Sequence, residues 1–179
     1  MDGRLKDGTE PLTPEALLAR LDALGIPHRT LTHPPVFTVD QAREKRGRIP
    51  GAHSKNLFLR DKRGSMWLVS CLEHRDVDLR WLRERLGARG SLSFGSSRRL
   101  MEYLGITAGA VSPLAVVNDH TGAVAVILDR GLLERPPVNF HPLDNGMTTS
   151  LAPEDLLRFL EAVDHVPLIL DFDREGESA

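Results

Sequence analysis

The sequence predicts a single α/β (α+β) domain in which a hairpin-rich mixed sheet is surrounded by helices. Three observations lead there. The chain has 179 residues, a length that suits one domain with its own core. Apolar runs of strand length, joined by short polar links, alternate with amphipathic helical stretches. No internal repeat and no Pro/Gly/Ser-rich linker divides the chain. Adjacent hairpin strands need no crossover helix, so the pattern speaks against an all-parallel, doubly wound sheet.

The elements follow in order. Pro14 to Leu24 is a helix: Thr13 supplies the N-cap, Pro14 the first turn and Gly25 the stop, and Leu17, Leu18, Leu21 and Leu24 form one stripe. Residues 28–33 form a short strand that Pro34-Pro35 ends. Val39 to Arg46 forms a more polar helix closed by Gly47. Lys55–Arg60 and Met66–Leu72, linked through Lys62-Arg63-Gly64, form the first hairpin. Val77–Leu86 is a helix stopped by Gly87, Ser91–Phe94 a strand, and Ser96–Leu104 a small helix ending at Gly105. A second hairpin is expected from Leu114–Val117 and Ala123–Leu128 around Asn118–Gly122, and a third from Val138–Leu143 and Thr148–Leu151. Pro153–Val163 is a helix, Val166–Phe172 a closing strand, and the residues from Asp171 onward a polar, frayed tail.

Composition narrows the classes of function. A hydrophobic fraction of 41% with 27% charged residues excludes wholesale disorder and fibrous repeats. The single cysteine, Cys71, sits in an apolar run and reads as buried packing in a reducing compartment. The N-terminal residues lack the apolar stretch of a secretory signal, and the longest apolar runs, such as Ala123–Leu128, fall far short of a membrane span. The expected location is the cytoplasm. The net charge of −2 conceals an asymmetry. From Arg43 to Arg99 there are 15 Lys and Arg against 6 Asp and Glu, and the remainder holds 8 against 19. By itself this fits either a phosphate-facing surface or solvated arginine-rich helix faces.

The common catalytic signatures are absent. No P-loop, no GxGxxG after a strand, no HExxH pair and no GxSxG elbow occurs, and the seven histidines are scattered. No metal and no cofactor is expected, and any enzyme here works by placing water and substrate, not through a covalent nucleophile. Three segments hold candidate chemistry. In Pro50–Leu59, which includes His53, Lys55 and Asn56 stand at the mouth of a strand. A lysine there can hold a phosphate and an amide a carbonyl or ribose; an ordinary strand-start cation beside a turn former fits equally. In Gly105–Pro113, the stretch Gly109-Ala110-Val111-Ser112-Pro113 makes a rigid turn whose N–H groups can converge on an oxyanion, although glycine-rich connectors are common. In Val138–Thr149, alternation places Asn139 and His141 on one strand face, ahead of an Asp144-Asn145-Gly146 turn. Uncharged polar groups there suit a small polar substrate, or simply a β-turn with a satisfied histidine.

Taken together and in order, His33-Pro34-Pro35-Val36-Phe37-Thr38, Lys55-Asn56-Leu57-Phe58-Leu59, Leu92-Ser93-Phe94-Gly95, Gly109–Pro113 and Asn139-Phe140-His141-Pro142-Leu143 resemble one family. It is the YbaK/ProRS-associated domain family of aminoacyl-tRNA editing domains, and within it the freestanding ProX-type branch (PrdX, ProXp-ala). The likeness spans roughly Thr13 to Phe172. It implies a partly barrel-like sheet, one deacylase domain over residues 13–172, and flexible ends at 1–12 and 173–179. It also implies hydrolysis of mischarged tRNA(Pro), most simply Ala-tRNA(Pro), without metal or cofactor. The implied partner is the tRNA(Pro) acceptor end; whether prolyl-tRNA synthetase is a second partner stays open.

Carried onto this sequence, the catalytic positions are Lys55, Asn56, Gly109 and His141. Lys55 would engage the terminal phosphate or ribose and not act as a base. The Gly109–Pro113 loop would offer backbone groups to the ester and the attacking water. His141 and Asn56 would shape the amino-acid pocket, with His53, Ala110, Val111, Ser112, Pro113, Asn139 and Asn145 as further substrate-binding positions. Two other readings remain: a non-catalytic tRNA-binding or synthetase-associated module of the same fold, and a small-molecule binder or hydrolase.

Overall fold

In a computed structural model, residues 3–35, 44 and 49–173 are described. Apart from Glu44, which is helical, the expected Val39–Arg46 helix and the Val36-Phe37-Thr38 end of the first motif lie outside the described residues. Among the described residues, eight strands form one mixed sheet in the order β1-β7-β6-β2-β3-β5-β8, with β4 beside β2. They are β1 (His28–Thr32), β2 (Ala52–Arg60), β3 (Met66–Leu72), β4 (Ser93–Phe94), β5 (Val124–Asp129), β6 (Val138–Phe140), β7 (Met147–Leu151) and β8 (Leu168–Leu170). Helices fully within the described residues are α1 (Pro14–Ala23), α2 (Leu79–Leu86), α3 (Ser97–Arg99, running into a π-helical turn at Leu100–Leu104), α4 (Arg130–Leu133) and α5 (Pro153–Ala162).

The β2–β3 hairpin forms with Lys55 opposite Cys71 and Asn56 opposite Ser70. The β6–β7 hairpin forms as well, Asn139 facing Ser150. The second expected hairpin does not. Pro113–Asn118 winds into a 3-10 helix, started by Pro113 and by the Leu114 N–H donated to Ser112 Oγ (3.1 Å), and all six of its residues are buried. A short run apolar on every side reflects burial, not strand alternation. Consequently β5 reaches the sheet alone and pairs parallel to β3, with β8 parallel to β5 and β6 parallel to β2.

Two cores flank the sheet. The larger packs Ala52, Phe58, Leu68, Val138, Phe140 and Leu151 of the strands against Leu17 and Leu21 of α1 and Phe159 and Leu160 of α5. On the opposite face Leu59, Trp67, Val69 and Ile127 pack against Leu82 of α2. All seven residues of β3 are buried because both of its faces are covered, which explains its unbroken apolar run. Over β1, β7 and β6 the α2 side carries Arg29, Leu31, Thr148, Ser150 and Asn139.

The segment before α1 is seated on the domain. Leu5 is 4% exposed, Leu12 N–H donates to Asn118 Oδ1 (2.9 Å) and Asp7 meets His120 Nδ1 (2.7 Å). At least from residue 5 this end is packed, against the expectation of a flexible tail; the anchor is the apolar Leu5, which a residue count from Thr13 leaves out.

A buried pair ties the loop before β5 to the loop before β8. His165 Nε2 lies 2.9 Å from Asp119 Oδ2, which also accepts the Val124 N–H. Burial alone would lower the His165 pKa, but hydrogen bonds to Asp119 and the Val163 carbonyl outweigh it and leave it raised. For Asp119 burial pulls upward, and bonds from His165 and the Val124 and Ala123 N–H groups leave it lowered. The histidine's contribution is full below its unfolded pKa and fades as pH rises through the folded one; the aspartate's is full above its unfolded pKa and fades on acidification. The pair therefore stabilises most between about pH 4 and about pH 6.5. Replacing His165 by glutamine should lower Tm by roughly 6–12 °C near pH 5.5, equivalent to about 3 kcal/mol. Melting curves from pH 5 to 9 should show that gap narrowing as pH rises; a gap that is constant would refute the charged pairing.

Candidate active site

Strand alternation sorts the predicted residues. Ala52 and Phe58 face the larger core and Leu59 the smaller, so Ser54 and Asn56 project to the first side and His53 and Lys55 to the second. In β6 Val138 and Phe140 face the larger core, leaving Asn139 on the side of Lys55. The β2–β6 register pairs Ala52 with Val138 and His53 with Asn139. β6 ends at Phe140, and His141 follows it at the start of the turn into β7.

Other contacts place His141 on that same face. His33 Nε2 lies 2.8 Å from Thr148 Oγ1, and Thr148 points away from its neighbour Thr149, whose hydroxyl meets Thr30 on the core side. The rings of His33 and His141 are 6.3 Å apart. His141 Nδ1 is 2.7 Å from the Met147 carbonyl, a contact that requires Nδ1–H to donate. Nε2 is then the lone-pair nitrogen. Burial holds the His141 pKa below the ordinary imidazole value, and the nearby His33 adds to the effect. The ring is thus a neutral acceptor at physiological pH.

Lys55 donates through Nζ to the backbone carbonyl of Arg75. That carbonyl is held in turn: Arg75 Nε donates to the fully buried carboxylate of Asp129 (2.9 Å), which also accepts the Leu72 N–H (3.1 Å) and the Gly131 N–H (2.9 Å). The Arg75 guanidinium also pairs with Asp173, and these partners raise its pKa further. Sequence reasoning missed Arg75 and Asp129, and it placed His33 in a motif without a site role. Asp129, a carboxylate ending an apolar strand ahead of a glycine, was the available signal.

The remaining positions divide. Asn56 is on the other face, where it accepts from Ser70 Oγ (2.7 Å) and donates to Ser54 Oγ (3.2 Å); Ser54 Oγ donates to the Asn139 carbonyl (3.3 Å). Its amide ties β3, β2 and β6 together. Asn139 donates to the Pro50 and Ala52 carbonyls (3.0 and 3.1 Å), and His53 Nε2 contacts the Ile49 carbonyl (3.1 Å), so both brace the entry to β2. In the glycine loop, Ala110, Ser112 and Pro113 are buried, the Ser112 hydroxyl caps the 3-10 helix, and the Ala110 N–H is used by Thr107. Gly109 is exposed and Val111 half-buried. A Cβ on Gly109 would lie 3.0 Å from Asn145 Nδ2, so the loop meets the β6–β7 turn there. A cavity of about 560 Å³ bordered by Pro27, Arg29, Pro50, Pro137 and Leu151 opens at the other end of β1 and β7 and contains none of the predicted residues.

Comparison with known proteins fits this arrangement. Residues 33–159 match the family model described as the aminoacyl-tRNA editing domain, a span from His33 into α5 that includes Lys55, Gly109 and His141. The chain belongs to the aminoacyl-tRNA editing domain family. It is 41% identical over 163 residues to the prolyl-tRNA synthetase associated domain-containing protein 1 of Bos taurus, covering 89% of this chain and 95% of that one. It is 39% identical over 149 residues to the prolyl-tRNA editing protein ProX of Acetoanaerobium sticklandii, covering 83% and 90%. Among solved structures, hypothetical protein APE2540 superposes with a TM-score of 0.69 at 20% identity, covering 87% of this chain and 97% of that one, a likeness of fold. For this editing domain no described helix is long and apolar enough to cross a membrane.

Cys71 shares the face of Lys55 but is fully buried, and burial pushes its thiol up to about 11. A thiol so protonated is a poor nucleophile. Cys71→Ser should therefore retain at least about half of any hydrolytic rate, and a rate lost with the thiol would assign Cys71 a chemical role.

Proposed function

We propose that this protein is a trans-editing deacylase that hydrolyses the ester of mischarged tRNA(Pro), with alanine as the amino acid removed. The observation that carries the reading is a shared face: Lys55 and Asn139 project from β2 and β6 to the same side, and His141, one residue past the end of β6, keeps Nε2 as a neutral acceptor through its Nδ1 contact with the Met147 carbonyl. Membership of the editing family and the prolyl-tRNA editing name of a 39% identical relative support it. Lys55 meets the anionic or hydroxylated end of the nucleic acid through N–H groups beyond the one given to Arg75. His141 Nε2 accepts from the amino group of the ester, fixing its carbonyl for attack. Water adds to that carbonyl, the bond to the ribose oxygen breaks, and the ribose hydroxyl takes the proton. Exposed Gly109, without a side chain beside Asn145, lets backbone approach the substrate.

The need is physical. A site shaped for proline rejects a smaller side chain by only about 1–3 kcal/mol per missing methylene, so a second pocket that excludes by overlap completes the discrimination. The test is a deacylation panel on tRNA(Pro) charged with alanine, cysteine, serine and proline, with and without EDTA. The alanyl ester should be cleaved and the prolyl ester spared, chelator or not. His141→Ala should raise prolyl relative to alanyl cleavage while alanyl activity remains measurable. Equal cleavage of both esters by the unaltered protein would defeat the size-selection reading, and binding of uncharged tRNA(Pro) without any hydrolysis would favour the non-catalytic module.

A further inference from the structure

Apart from Arg75, the basic residues between 60 and 90 take no part in the chemistry above. The chain leaves β3 at Leu72, opposite Ser54 and one residue past the partner of Lys55, and continues into α2, whose Leu82 clusters with Leu59 and Val69. It arrives at Ala88-Arg89-Gly90 beside the β2–β3 turn, so α2 bridges the Lys55 end of the hairpin and its far end. The two turns are joined by one carboxylate. Asp61 is 2% exposed and accepts N–H groups from Arg63 (2.9 Å), Ser65 (3.0 Å) and Arg89 (2.9 Å), while the Lys62 N–H donates to the Arg89 carbonyl (3.1 Å). The stem of Lys62 lies across Gly90, where a Cβ would come within 2.6 Å of it. Lys62, Arg63 and Arg89 are thereby gathered as exposed cations around a buried acid that is already spent on backbone.

The same path continues on α2. Arg80 is exposed and Arg83 half-buried; Glu84 on α2 is exposed, the Asp78 Oδ1 caps the helix by accepting the Arg80 N–H (2.8 Å), and Asp171 and Asp173 flank Phe172, whose ring packs on Trp81. From Lys55 to the turn at Lys62 the chain spans roughly 20 Å, at about 3.3 Å per strand residue. The stretched, unpaired 3′ end of a charged tRNA covers a comparable length before its duplex begins.

We propose that α2 and the Asp61-joined turns form the docking surface for the acceptor-stem backbone of the RNA, with Lys62, Arg83 and Arg89 contacting phosphates. This rests on the deacylase reading for the position of the 3′ end. Phosphate contacts position a nucleic acid without reading sequence and make its binding salt-dependent. None of these residues touches the ester.

The experiment compares the unaltered protein with the triple variant Lys62→Glu/Arg83→Glu/Arg89→Glu on two substrates, alanyl-tRNA(Pro) and the alanyl ester of the trinucleotide CCA. KM for the tRNA should rise roughly tenfold or more with kcat held, its salt dependence should flatten by about one power of salt concentration per lost contact, and the trinucleotide should be cleaved as before. An unchanged KM for the tRNA, or an equal loss on both substrates, overturns the surface. Should neither substrate be hydrolysed by the unaltered protein, the deacylase reading fails by itself. Uncharged tRNA(Pro) binding then decides the surface: weaker in the variant supports it, equal overturns it. If charge reversal unfolds α2, the triple glutamine variant replaces it under the same criteria. A variant that loses affinity for an acidic protein partner while binding tRNA normally also overturns the proposal.

Discussion

Replacing Lys55 by alanine is expected to reduce deacylation of the mischarged tRNA by roughly two orders of magnitude while the fold survives. The two effects separate because the lysine's known contact and its proposed one differ in kind. On the protein it gives one hydrogen bond to the Arg75 carbonyl, at the edge of a hairpin that seven register pairs already hold. Loss of such a bond costs about 1 kcal/mol. Toward the substrate it supplies a charge-assisted contact to an anionic or ribose oxygen, and truncating one side of a desolvated charged contact costs about 2–5 kcal/mol. Single-turnover rates on alanyl-tRNA(Pro), alongside a melting curve, would read both. Full activity in Lys55→Ala would remove the lysine from the mechanism.

The second large effect is expected at Asp129. Its carboxylate is fully buried and accepts the Leu72 and Gly131 N–H groups and the Arg75 guanidinium. Asp129→Ala strands those donors and leaves a half-buried guanidinium without its inner partner, an outcome worth about 3–5 kcal/mol. At this chain length that corresponds to a fall in Tm of roughly 6–20 °C. The site should suffer as well, since Arg75 presents the carbonyl that holds Lys55. A variant that still folds at low temperature should therefore lose kcat beyond what its folded fraction explains. Unimpaired turnover per folded molecule would confine Asp129 to stability.

Much of the architecture was legible because local chemistry and tertiary demand agree. Thr13, Pro14 and Gly25 mark α1, and the Thr13 side chain accepts the Ala16 N–H as a cap does. The β2–β3 and β6–β7 hairpins follow from strand-like runs joined by short polar turns. Agreement failed where burial was complete. Residues 113–118 are apolar because every side of them is covered, and such a run does not distinguish a strand from a helical turn. With that hairpin gone, the parallel pairing of β5 with β3 and β8 had no local signal, since parallel neighbours are joined through distant chain.

The candidate site divides along the same line. Sequence by itself determined the family and proposed the candidate residues, although the strand expected to carry both Asn139 and His141 ends at Phe140. It also held the charge asymmetry that α2 and the Asp61 turns concentrate into one path. Only the tertiary structure decided that neighbouring Lys55 and Asn56 serve different faces, one held by the Arg75 carbonyl and the other tying three strands. It alone showed that Ala110, Ser112 and Pro113 belong to the core while Gly109 meets Asn145. The reason is that spacing along a chain specifies which side of its own element a residue takes. Which layer covers that side, and which distant carbonyl or carboxylate meets it, is set by packing between elements far apart in sequence.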